Sequence, residues 1–159
     1  MLIEHLREVT GAEGINPRQM APLALAFLGD SVFDLYIRGR LVMTEQTSPH
    51  RMHLHASQFA RAESQARMVR LLWDDLSADE QDLVRRGRNA KSNTIPKHAE
   101  VIEYKMATGL ETMIGALYLE GRMDRILELM DAGYVLLCRE WAADEVREHE
   151  EPEPKEDLT

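Results

Sequence analysis

Residues 22–42, PLALAFLGDSVFDLYIRGRLV, read as a single long apolar helix with carboxylates at Asp30 and Asp34. A carboxylate on the apolar side of a helix is costly to desolvate unless it is paired, hydrogen-bonded or bound to a metal. The stretch therefore poses a chemical question as well as a structural one. A second stretch has the same character. In TGLETMIGALYLEG, residues 108–121, the apolar residues Leu110, Met113, Ile114 and Leu117 recur at helical spacing, and Glu111 sits among them. Each acid lies close to a glycine, Gly29 beside Asp30 and Gly115 one turn after Glu111. Small residues let helices approach closely, so the two acids can meet where the helices cross. Such a pair suits Mg²⁺ or Mn²⁺, which takes one or two protein carboxylates and fills its remaining positions with water and phosphate oxygens. Two ordinary capped or surface carboxylates also satisfy the pattern.

The rest of the chain extends this helical reading. Further helices are expected over about 2–9, from Ser48 with Pro49 at the first helical position, over 77–86, over about 98–119 and from Met123 to near Val146. Ser77 with Glu80 three residues later forms a capping box, and Gly87 and Gly121 mark helix ends. No segment alternates with the period of a strand, so the fold class is all-α. At 159 residues the chain suits one domain with a substantial core. No apolar run reaches a membrane-spanning length, and the N-terminus lacks the pattern of a signal peptide. The single cysteine, Cys138, within YVLLC, points to a reducing compartment and a buried thiol, so the chain is read as cytoplasmic.

The net charge of −9 is unevenly spread, since residues 144–159 carry −6 of it. That acidic, proline-containing end reads as a solvated, disordered tail, leaving residues 1–143 as the folded domain. Within the body, RRGRNAKSNTIPKH (residues 85–98) concentrates Arg85, Arg86, Arg88, Lys91 and Lys97 together with Asn89. Such a patch suits phosphates, although a solvated helix end whose dipole favours cations would look the same. The histidines His50, His53 and His55 do not share one helical face and bring no cysteine pair, which argues against zinc.

FLGDSVFDLYI, followed some eighty residues later by TGLETMIGALYLEG, resembles the two signatures of the ribonuclease III catalytic domain. Over about residues 17–135 the chain is closer still to the Mini-ribonuclease III branch, which is reduced to that domain. The resemblance implies a homodimeric helical endonuclease fold, with Asp30 and Glu111 as catalytic metal ligands for Mg²⁺, or for Mn²⁺ in its place. It further implies Phe27, Leu28 and Phe33 as dimer contacts, and Arg85, Arg86, Arg88, Asn89, Lys91 and Lys97 as RNA contacts. The activity implied is cleavage of double-stranded RNA, the 23S ribosomal RNA precursor in the Mini branch, leaving 5′-phosphate ends. A ribosomal protein or the assembling large subunit is a further implied partner, and no double-stranded-RNA-binding domain is expected. A silent RNA-binding relative in ribosome assembly is the competing reading. Two positions depart from the larger relatives: Ala26 stands where they have a glutamate, and Thr108 where they have an aspartate. Asp34 is placed at the margin of the site or at an interface.

Overall fold

The computed structural model describes residues 2–91 and 100–150, with nothing said of the Glu150 side chain. Among the described residues all regular structure is helical: α1 (Leu2–Thr10), α2 (Pro22–Thr44), α3 (Pro49–Ala60), α4 (Ala62–Leu72), α5 (Ala78–Asn89), α6 (Val101–Leu119) and α7 (Met123–Glu150). Short 3₁₀ turns at Pro17–Gln19 and Trp73–Asp75 complete the set. The starts follow local chemistry. The Ser48 hydroxyl accepts from the Arg51 amide at 3.3 Å, and Pro49 opens α3. At α5, Ser77 Oγ accepts from the Glu80 amide at 3.2 Å while Glu80 Oε2 accepts from the Ser77 amide at 2.8 Å, the reciprocal box expected. Gly121, with φ +74, ends α6 in a left-handed turn, its amide donating to Tyr118 and that of Arg122 to Leu117.

Helix α6 is the central element. It packs against α2, α4, α5 and α7 and is buried almost continuously from Ala107 to Leu117. Its closest approaches are made through glycine. A methyl group added to Gly29 would meet the Glu111 carbonyl oxygen at 1.8 Å, and one added to Gly115 would meet the Leu25 carbonyl oxygen at 2.0 Å. On the opposite flank, Gly87 and Gly109 give α5 and α6 a second crossing of this kind. Helix α2 turns Leu25, Gly29, Phe33, Ile37 and Leu41 inward, a stripe of four-residue steps. Each large side chain so buried contributes about 1.5–3 kcal/mol.

Several expectations are corrected. Phe33 is 1% exposed within the core cluster and is unavailable as a dimer contact. The helix expected from Ser48 ends at Ala60, and the chain breaks at Arg61, whose ψ of 142° is extended, before α4 begins. Helix α7 continues through the expected tail boundary at residue 144. Asp144 is paired with Arg67 at 2.7 Å, so residues 144–150 belong to the helical body. Residues 151–159 lie outside the described residues. Cys138 is half-buried rather than enclosed, and burial raises its thiol pKa. No described helix is long and apolar enough to cross a membrane.

Candidate active site

The α2–α6 crossing fixes the two acids. Because Gly29 packs directly on the Glu111 backbone, the next residue, Asp30, is carried to the rim of the contact, where it is exposed. Glu111 points to the same rim from α6 and is half-buried. The two carboxyl groups are close enough for each to act on the other's ionisation. Burial foremost, and then the nearby Asp30 charge, push the Glu111 carboxyl up from 4.5 to about 7. An acid whose pKa is raised by burial and then by a neighbouring like charge marks a functional-site candidate.

A third side chain converges on this point. Gln65, on α4, is 2% exposed, and its amide lies against the Glu111 carboxyl, where it favours the charged form. Its Nε2 nevertheless falls outside hydrogen-bond geometry and is without a partner among the described residues. A buried donor left unmade costs about 1–3 kcal/mol. The sequence did carry a signal for it. Gln65, Met68, Val69 and Leu72 form the buried stripe of α4 at helical spacing, and Gln65 is the polar member.

The donor set is oxygen-rich and small. Ala26 is buried and offers no ligand, and the Thr108 hydroxyl donates to the Tyr104 carbonyl at 3.0 Å. Among the described residues no cluster of three or more His, Cys, Asp or Glu is placed to hold a metal. Two facing carboxylates therefore fit a hard divalent cation that keeps much of its water, and a cation between them would relieve the repulsion that raises Glu111. They do not fit a closed zinc cage. His55 is engaged elsewhere, its Nδ1 lying 2.7 Å from Glu45. Asp34, 2.6 Å from Arg38 on the same helix, is neutralised on the surface.

The basic residues are placed unevenly. Arg86 is half-buried and donates to the Met20 carbonyl at 3.0 Å, which ties α5 to the start of α2. Arg85 lies over the Trp73 ring, 5.2 Å from its centroid. Arg88 donates to Asn89 Oδ1 at 3.1 Å. Asn89 and Lys91 line a cleft of about 230 Å³ together with Tyr104, Lys105 and Thr108. Thr108 lies one helical turn from Glu111, so this cleft adjoins the acidic pair. Lys105 was not singled out by its sequence context. Lys97 lies outside the described residues.

The outer face of α2 is also apolar. Phe27 is 84% exposed and Leu35 73%. Leu28, Val32 and Leu35, with Leu2, Leu6 and Tyr118, line a groove of about 500 Å³ beside it.

Comparison with known proteins gives the family. Residues 23–122 match the Ribonuclease III domain family. Mini-ribonuclease 3 of Thermoanaerobacter is 41% identical over 124 residues, which cover 78% of this chain and 86% of that protein. Mini-ribonuclease 3 of Synechococcus is 43% identical over 122 residues, 75% of this chain and 87% of the relative. A crystal structure of a Fusobacterium nucleatum protein superposes with a TM-score of 0.65 at 30% identity, over 72% of this chain and 91% of that one.

Proposed function

The chain belongs to the ribonuclease III family, and from that premise we propose that it is a metal-dependent endoribonuclease acting on double-stranded RNA. The observation that carries the reading is the meeting of Asp30 and Glu111 across the Gly29–Gly115 crossing. Asp30 and Glu111 are the residues that would hold Mg²⁺, or Mn²⁺ in its place. The chemistry such an ion supplies is activation of a water and neutralisation of charge developing on the phosphodiester. Everything else falls to the protein. The glycine crossing fixes the two carboxylates on rigid helices, and the half-buried setting of Glu111 limits competing water. With Ala26 and Thr108 supplying no charge, two carboxylates would leave positions on the ion for water and an RNA phosphate. Hydrolysis leaves a 5′-phosphate and a 3′-hydroxyl.

The duplex backbone is held by Arg85, Arg88, Asn89, Lys91 and Lys97, with Lys105 added by the cleft it shares with Lys91. Arg86 is better assigned to structure, since its guanidinium is engaged by Met20. A-form RNA is recognised through phosphates, 2′-hydroxyls and shape, which suits a cationic cleft beside an acidic site. The exposed apolar face of α2 supports a homodimer in which Phe27 and Leu28 meet the partner, giving two acidic sites along one duplex. The resemblance of the chain's own motifs to the Mini-ribonuclease III branch makes the 23S precursor in the cytoplasm the favoured substrate. A ribosomal protein or the assembling subunit would present it.

The direct test is cleavage of a labelled RNA duplex with Mg²⁺ or with chelator, comparing the parent with Asp30→Asn and Glu111→Gln. Loss of either acid should slow cleavage on the order of a thousandfold. If both variants cut as fast as the parent, the site is elsewhere. If the parent binds duplex and never cuts it, the silent RNA-binding reading replaces this one.

A further inference from the structure

Gln65 has a role that packing does not account for. Its neighbours on the buried stripe of α4, Met68, Val69 and Leu72, are apolar and nearly inaccessible. A leucine or methionine at position 65 would continue the stripe and remove the one buried side-chain donor without a partner among the described residues. The amide instead stands where α4 meets α6, against the Glu111 carboxyl. Only its donor end is compatible with an ionised carboxylate, because a carbonyl oxygen there would repel it. A neutral amide also does what a third acid could not. It steadies Glu111 without adding negative charge to a pair that already repels. With Ala26 and Thr108 contributing no carboxylate, the direction in which each remaining acid points matters more.

We propose that Gln65 is a positioning residue of the metal centre: its Nε2–H donates to one oxygen of the Glu111 carboxylate and leaves the other directed at the divalent cation shared with Asp30. The assignment rests on the metal-site reading of Asp30 and Glu111. Partners of this kind orient ligating carboxylates, and their loss typically lowers metal affinity roughly 10–100-fold.

The test uses the full chain and Mn²⁺ as a spectroscopic probe, counting free Mn²⁺ by electron paramagnetic resonance for the parent, Gln65→Met and Glu111→Gln. Methionine keeps the length and volume of glutamine and removes the donor. Gln65→Met should bind Mn²⁺ roughly 10–100-fold more weakly, while its melting temperature without metal stays level or rises. In duplex cleavage, Gln65→Met should need more Mg²⁺ yet recover its rate at saturation, whereas Glu111→Gln should not. If Gln65→Met binds Mn²⁺ as tightly as the parent while Glu111→Gln loses it, the Gln65 assignment falls and the metal site stands. If Glu111→Gln binds like the parent, or the parent shows no binding, both fall. A melting temperature that drops along with affinity would make Gln65 a packing residue and overturn the proposal.

Discussion

Replacing Glu111 by glutamine should make the metal-free protein more stable above neutrality, although it removes a residue assigned to the site. In the folded chain the carboxyl titrates near 7 instead of 4.5, because burial and Asp30 disfavour its charged form. A folded-state pKa raised above the unfolded value means that the native state prefers the protonated acid. Its stabilising contribution is then complete below about pH 4.5 and is lost as pH rises through about 7. At about 1.4 kcal/mol per tenfold, the interval from 4.5 to about 7 corresponds to about 3 kcal/mol. Glutamine mimics the protonated acid and does not titrate. The stability of Glu111→Gln minus that of the parent should therefore climb by about 3 kcal/mol between those pH values and then level off. Glu80 works in the opposite sense. The Arg125 guanidinium lowers its pKa, so its contribution is lost as pH falls, but it is common to both proteins and cancels in the difference. Urea unfolding in chelator, with one series near pH 4.5 and another above 7, measures this directly. Adding Mg²⁺ above neutrality should restore the parent by about 2.7 kcal/mol at a hundred times its dissociation constant, and leave Glu111→Gln unmoved. A difference that stays flat with pH would refute the account of Glu111 as an acid forced toward neutrality.

Other perturbations probe the frame and its surfaces. Gly29→Ala places a methyl on the Glu111 carbonyl oxygen at 1.8 Å. Backbone cannot yield there as a flexible side chain would, so the variant should lose about 3–5 kcal/mol in urea and all cleavage activity; a loss under about 1 kcal/mol would contradict the crossing. Phe27→Asp should keep its melting temperature, because the side chain is 84% exposed, but sediment as a monomer. An unchanged dimer would remove Phe27 from the interface. Arg88→Ala with Lys91→Ala should weaken duplex binding and reduce the salt slope by roughly one to two. An unaltered slope would take both residues off the RNA.

Much of this architecture can be read from spacing, and the exceptions have physical reasons. The meeting of Asp30 with Glu111 is legible because each acid adjoins a glycine in an apolar helix, and close backbone approach needs both. The same glycine held the information that places Phe33. Four residues after Gly29, Phe33 lies on the face that meets α6, while Phe27, two residues before it, points away. Helix α2 is apolar on both faces, and composition alone does not say which one the core takes. The break at Arg61 has no glycine or proline to announce it. It is secured from outside the local pattern, where the Ser64 hydroxyl donates back to the Gln58 carbonyl at 2.6 Å and Phe59 stacks on Tyr134 of α7. Arg86 resembles its basic neighbours in sequence and differs in finding the Met20 carbonyl, in the link before α2. Asp144 likewise leaves the acidic end because Arg67 reaches it.

Ala26 and Thr108 then bear on how the site operates. Ala26 is buried beside the crossing, and Thr108 has committed its hydroxyl proton to Tyr104. A carboxylate at either position would stand close to a Glu111 that burial, and then the Asp30 charge, already push up to about 7. Each further acid would raise the cost of the metal-free state and tighten metal binding in the same step. With two acids the metal-free protein keeps a tolerable penalty, and affinity for the cation is left to depend on what else arrives. The cleft of Asn89, Lys91 and Lys105 next to Thr108 is where an anionic backbone would arrive. On the proposed function, a phosphate seated there would supply oxygen ligands and charge that the protein omits, and duplex and cation would each favour the other's binding. By reciprocity of the coupling, duplex should raise Mn²⁺ affinity by the same factor that Mn²⁺ raises duplex affinity. Equal Mn²⁺ affinity with and without duplex would mean that two carboxylates, steadied by Gln65, suffice alone.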